Sequence, residues 1–144
     1  SSSDYEKALA CYRWVTENIS YDRYMASLTG NDLVEYVESA AYPSEINFAL
    51  TNYKGVCFEY ALLYQALCCA MKVNCIVVSG RAGGMHAWNM VQINGQWYQA
   101  DPTWDAGDTP ERYQYFLVSD TVMRSRVIEQ EGYQIPSCPE NYRQ

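Results

Sequence analysis

Histidine is nearly absent: one occurs in 144 residues, at position 86. The six cysteines, at 11, 57, 68, 69, 75 and 138, contain no C-x-x-C pair. Zinc centres draw on several His and Cys ligands at short spacing, so none is expected. No stretch has the spacing of a calcium loop, so no metal and no cofactor is implied. Basic residues are also scarce, 10 against 17 acidic ones, for a net charge of −7. That balance argues against a nucleic-acid backbone or an anionic membrane as partner. No apolar run approaches the roughly 18–20 residues that span a bilayer. No leader is visible at the Ser1-Ser2-Ser3 start, and the chain is expected to be part of a larger or secreted protein. Cys68 and Cys69 are adjacent on a predicted helix and cannot face one partner, which disfavours a full disulfide framework. A single bridge through Cys138 stays open, and cysteine usage does not settle the compartment.

What is present points to one folded domain over residues 1–144. Hydrophobic residues make up 49% of the chain, and 14 tyrosines and 4 tryptophans suit amphipathic surfaces or a cleft. Residues 4–19 repeat apolar positions at helical spacing behind a Ser3/Glu6 capping box, and the polar stretch Ser20 to Asp22 ends that helix. A second helix is predicted over 32–41 behind Asn31, stopped by Pro43. A third is predicted over 45–51 behind Ser44. A longer helix runs from Cys57 to Met71, with Tyr60, Ala61, Tyr64, Leu67, Cys68 and Met71 along one stripe. Cys68, Cys69 and Cys75 read as inert core thiols. Val73–Ser79 reads as a buried strand, Gly80–Gly84 as a loop and Tyr113–Val118 as a strand. Ser119-Asp120 caps a short helix to about 127, and an irregular tail follows from 129. Helices followed by a run of strands make an α+β layout with a largely antiparallel sheet.

The informative stretch is His86 to Asp105. Asn94-Gly95 sits between two strand-like runs, the strongest short hairpin signal, because a type I′ turn needs positive φ at both central residues. A two-residue loop pairs Ile93 with Gln96. His86, Trp88, Met90 and Gln92 then share a face with Trp97, Gln99, Asp101 and Thr103. His86 and Asp101 become diagonal neighbours with backbones roughly 7–8 Å apart.

Cys57, at the start of its helix, meets free N–H groups and the positive end of the dipole, both of which favour a thiolate. Singly, each of these residues has an ordinary explanation: a packed thiol, a structural histidine, a turn aspartate. Together they supply a nucleophile (Cys57), a base (His86) and a group that orients the base (Asp101). The Cys57 N–H is a ready oxyanion donor, and Gly83-Gly84 would let a substrate backbone approach closely.

Gly55-Val56-Cys57 with Tyr60-Ala61, then His86-Ala87-Trp88-Asn89, then Asp101-Pro102-Thr103-Trp104-Asp105, resembles the transglutaminase-like cysteine-enzyme superfamily, in its small bacterial type. Ile19-Ser20-Tyr21-Asp22 is similar to that family's segment after the first helix. The resemblance covers about residues 5–120. It implies a papain-like core, in which a Cys-bearing helix packs on an antiparallel sheet carrying the His and Asp. It also implies the triad Cys57, His86 and Asp101, and a bacterial cell-surface or secreted location. Glu59 departs from the small residue usual there; it is expected to face solvent, or else to favour a cationic substrate group. Trp88, Glu59 and Gly84 are the candidate substrate-binding residues, while Asn89, Trp104 and Asp105 are expected to hold strand ends. Asn52 and Tyr53 lie where a side-chain oxyanion donor would stand, and neither is assigned.

The expected activity is a thiol-dependent peptidase or amidase that acts on a peptide or protein through a thioester. Transfer of the acyl group to an amine, which cross-links proteins, passes through the same intermediate. A non-catalytic peptide-binding module using the same cleft is the alternative from another class, with a structural surface domain behind it.

Overall fold

The computed structural model describes residues 3–39, 44–130 and 134–143. Helix α1 (Asp4–Asn18) is capped by Ser3, whose side chain accepts the Glu6 N–H at 3.2 Å, as the capping-box reading requires. Asp22 does more than end that helix. Its carboxylate accepts the Met25 N–H at 2.9 Å and starts a short second helix, α2 (Arg23–Ser27), which the sequence reading missed. Helix α3 (Gly30–Ser39) begins two residues before the predicted start, and its predicted end at 41 and stop at Pro43 lie outside the described residues. Helix α4 (Glu45–Asn52) is capped by Ser44 as predicted.

Two short strands then set up the next helix. Strand β1 (Ser20–Tyr21) pairs in parallel with β2 (Lys54–Gly55), and the Asp22 N–H donates to the Gly55 carbonyl at 2.8 Å. This clamp fixes the chain just before α5 (Cys57–Ala70). Tyr60 and Tyr64 on α5 are fully buried, and their hydroxyls donate to the carbonyls of Ile19 (2.8 Å) and Ala8 (3.0 Å). Each ring therefore adds apolar burial without leaving an unpaired hydroxyl. Cys68 and Cys75 are buried as read, but Cys69 is exposed, since one step along a helix turns a side chain away from its neighbour's face. All six cysteines are free thiols, so Cys138 forms no bridge.

The sheet has five strands in the order β6-β5-β4-β3-β7, antiparallel throughout. These are β3 (Cys75–Arg81), β4 (Met85–Ile93), β5 (Gln96–Ala100), β6 (Phe116–Val118) and β7 (Val127–Ile128). The β4–β5 hairpin has the predicted register, Ile93 with Gln96 through Asn89 with Ala100. Asn94 (φ 51°) and Gly95 (φ 83°) both occupy the positive-φ region that a type I′ turn demands.

The expected loop at Gly80-Arg81 is instead the end of β3, because β7 pairs with those two residues. A Cβ at Gly80 would lie 2.0 Å from the Val127 carbonyl oxygen, so glycine permits the approach. The helix predicted after Ser119-Asp120 does not form. Ser119 caps a turn by accepting the Val122 N–H at 3.3 Å, and the chain then extends into β7. The strand expected from Tyr113 starts at Phe116, after a 3₁₀ turn over Pro110–Arg112.

The tail beyond 134 lacks regular structure but is anchored. Asp120 and Cys138 exchange hydrogen bonds, the Tyr142 N–H donates to the Leu117 carbonyl at 3.0 Å, and the Tyr142 ring stacks on Tyr5 at 4.7 Å. The main core lies between α1, α5 and the sheet, with Tyr12, Val15, Tyr60, Leu63, Tyr64 and Val91 at its centre.

Candidate active site

Four separate pieces of chain meet at the site. The clamp before α5 presents Cys57 as the first residue of the helix, half-buried, where the first-turn N–H groups have no intrahelical acceptor. Opposite it, β4 carries His86. Its ring is 8% exposed, and Nε2 donates to Asp101 Oδ2 at 2.7 Å. The diagonal relation read from the hairpin thus closes into a direct contact, although β5 ends at Ala100 and Asp101 stands in the turn just after it. The ring's remaining nitrogen, Nδ1, is the one left for the Cys57 thiol, whose interaction with the ring helps to raise the His86 pKa.

Burial by itself pulls the imidazole pKa down. The ring's hydrogen bond to Asp101 and its interaction with Cys57, together with the charges of those two groups, outweigh it and push the value up to about 9. The site therefore holds an imidazolium readily.

Asp101 is fully buried and heavily held. The Trp104 N–H donates to its Oδ1 at 3.2 Å, and its own N–H donates to the Tyr115 carbonyl at 2.8 Å. A third donor was not legible in the sequence: Arg126 Nη1 reaches Oδ2 at 2.6 Å, from a side chain 2% exposed. The Arg126 guanidinium lies over Trp104 (4.2 Å) and Trp88 (4.9 Å). The same two indoles flank His86, at 5.5 and 5.8 Å between ring centroids. The one sequence signal for Arg126 is an arginine set directly before the β-branched pair Val127-Ile128.

The three candidate substrate-binding residues sit apart from one another. Trp88 is fully buried and backs the His86 ring; its indole N–H donates to Gln99 Oε1 at 2.8 Å. Gly84 stands in the exposed bend before β4, at φ 155°, with open space where a Cβ would point. Glu59 does not face solvent as expected, being 2% exposed. Val56, at the helix cap, has no side-chain oxygen, so the Glu59 carboxylate turns back and accepts the Val56 N–H at 2.6 Å. Gly55 makes room for it, since a Cβ there would stand 2.3 Å from Glu59 Cβ. Burial pushes the Glu59 pKa up to about 7, against the pull of the backbone N–H bonds.

Asn89 is buried, and its amide donates to the carbonyls of Ala61 (3.0 Å) and Ile76 (3.2 Å), tying α5 to the sheet. Asn52 donates to the Phe48 carbonyl, and Tyr53 is exposed at the αL end of α4. A groove of about 550 Å³ opens beside Cys57, with Tyr21, Met25, Leu28, Leu33, Phe48 and Phe58 among its walls. Among the described residues, no group of three or more His, Cys, Asp or Glu side chains is placed to hold a metal ion, and no helix is long and apolar enough to cross a membrane.

Comparison with known proteins bears on the family and the fold. The model of the transglutaminase-like superfamily matches residues 1–102, a span that includes Cys57, His86 and Asp101. Kyphoscoliosis peptidase of mouse (Mus musculus) and of human (Homo sapiens) are each 30% identical over 118 residues, which is 73% of this chain. The chain spans only 16% of the length of those relatives. Among solved structures, a proposed cysteine protease from Cytophaga hutchinsonii aligns over 86% of this chain and 35% of its own, with a TM-score of 0.56 at 24% identity. A TGase aligns over 79% of this chain and 29% of its own, with a TM-score of 0.57 at 20% identity. These two likenesses concern the fold, a papain-like α+β core. The match across most of the chain, on the fold and motifs described above, makes this chain a member of the transglutaminase-like superfamily.

Proposed function

We propose that this domain is a thiol-dependent acyl-transfer enzyme that hydrolyses an amide or peptide bond through a thioester at Cys57. The observation that carries the reading is the 2.7 Å contact between His86 Nε2 and Asp101 Oδ2, which leaves Nδ1 for the Cys57 thiol.

In the proposed sequence, His86 takes the thiol proton and Cys57 attacks the carbonyl carbon as thiolate. The Cys57 N–H, in the first turn of α5, stabilises the developing oxyanion. The imidazolium returns its proton to the leaving amine as the C–N bond breaks, leaving a thioester. Water, deprotonated by His86, then attacks that thioester, releasing the acid and restoring the thiol. Asp101 keeps the ring oriented and balances its charge throughout. The apolar groove beside Cys57 suits a bulky apolar side chain on the acyl side of a peptide.

The test is mass spectrometry of candidate peptides incubated with the domain, with and without a primary amine. The expected result is cleaved peptide and, with slow substrates, an acyl adduct on Cys57. An amine adduct as the main product overturns hydrolysis in favour of cross-linking. No turnover of any peptide, with Cys57 alkylating like an ordinary thiol, favours a peptide-binding module.

A further inference from the structure

The orienting carboxylate answers two cations. Asp101 Oδ2 accepts from His86 Nε2 at 2.7 Å and from Arg126 Nη1 at 2.6 Å, while Oδ1 takes the Trp104 N–H at 3.2 Å. Arginine carries its charge at any physiological pH, and this one is 2% exposed. Its Nη2 is buried with no hydrogen-bond partner, so within the described residues Asp101 is the anion that compensates the guanidinium. A charge taken out of water without such a partner would be strongly destabilising. Trp88 and Trp104 hold Arg126 by cation–π contact, with the Tyr115 ring at 5.5 Å. Because the same indoles flank His86, ring and guanidinium are locked in one aromatic stack around a single oxygen.

We propose that Arg126 is a positioning residue that holds Asp101 and takes part of its carboxylate charge from His86, so that the imidazolium is bound less tightly than Asp101 alone would bind it. Two cations on one carboxylate repel each other, and the permanent one weakens the other. A base that must give its proton back to a leaving group gains from such moderation. Its bearing on catalysis rests on the triad reading above; its bearing on His86 does not.

His86 is the only histidine, so its imidazole NMR signals can be followed through pH without ambiguity. The comparison is between the unaltered domain, Arg126→Met and Arg126→Lys, each checked for native-like spectral dispersion. The titration midpoint should rise by about one pH unit in Arg126→Met. It should stay near the unaltered value in Arg126→Lys, which keeps a cation. A folded Arg126→Met whose midpoint is unchanged or lower overturns the proposal. If Arg126→Met does not fold, Arg126→Met/Asp101→Asn decides. Recovery of the fold shows that the lesion was the uncompensated carboxylate, whereas continued unfolding assigns Arg126 to packing alone and overturns the proposal. The measurement needs no turnover, so it stands or falls separately from the hydrolysis assay.

Discussion

Tyr12 donates its hydroxyl to Asp105 Oδ2 at 2.6 Å, joining the first helix to the turn that follows Asp101. Both residues are buried, and the same carboxylate accepts the N–H groups of Gln114 and Tyr115. Asp105 thus folds the segment from which the Tyr115 carbonyl receives the Asp101 N–H. Tyr12→Phe removes one charge-assisted hydrogen bond from this chain of supports. It should lower stability by about 2 kcal/mol in denaturant unfolding. On the proposed activity it should lower kcat more than KM, because it loosens the orienter rather than the groove. Unchanged stability would mean that the hydroxyl is dispensable to the turn.

Glu59 gives a prediction whose sign depends on pH. Its folded-state pKa is raised to about 7 by burial, above the ordinary carboxylate value of 4.5. A raised pKa contributes stability that is complete below the unfolded value and lost as pH climbs through the folded one. The native state should therefore weaken between about pH 4.5 and 7. Glu59→Gln keeps an acceptor for the Val56 N–H without the charge. It should leave stability unchanged near pH 4 and raise it at pH 8, by up to about 3 kcal/mol. Thermal unfolding at the two pH values checks this, and a loss of stability at pH 8 would contradict it.

His86 sets the alkaline edge of the activity profile. With its pKa pushed up to about 9, the imidazolium survives through pH 8, and the alkaline fall in activity should come near pH 9 rather than near 6.5. Asp101→Asn should move that fall to lower pH and cut kcat by at least about 10²-fold, by analogy with removal of an orienting carboxylate from a catalytic triad. Below the unfolded value near 6.5 the charged ring also contributes its full stabilisation of the fold, which disappears as pH rises past about 9. Iodoacetamide labelling of Cys57 in mildly acidic buffer should be fast in the unaltered domain and slow in His86→Ala.

Register can be tested by parity. A strand turns alternate side chains to opposite faces, and the two-residue Asn94-Gly95 turn is what puts His86 and Asp101 on the same one. Inserting one residue there should abolish activity and the His86–Asp101 contact. A two-residue insertion that keeps the pairing as a longer loop should retain much more. Equal loss in both would show that loop length, not register, limits the site.

How much of this was readable from residues alone follows from the range of the forces involved. The hairpin was legible because Asn-Gly fixes its own backbone, and everything from His86 to Ala100 follows by counting. The Cys57 helix was legible from its apolar stripe. Strand β7 and Arg126 were not. Ser119-Asp120 looks like a helix cap, and only pairing with Gly80-Arg81, far back in sequence, pulls Val127-Ile128 into a strand. The burial of Glu59 was missed for a local reason: its carboxylate replaces a cap that Val56 lacks, in a space left by Gly55. Strand β3 was displaced by two residues because the glycine that marks loops elsewhere here admits a neighbouring strand.

The placement of β6 and β7 has a practical consequence. They occupy the two outer positions of the sheet, β6 beside β5 and β7 beside β3, and both lie beyond residue 102, where the superfamily match ends. A shorter polypeptide stopped at that boundary would keep Cys57, His86 and Asp101 but strip both flanks at once. The bare backbone donors and acceptors of β3 and β5 would then be open to other chains. Such a piece should come out of expression as aggregate even though Cys57, His86 and Asp101 are all present, and trimming near the C-terminus should be guided by strand edges rather than by the limits of the family match.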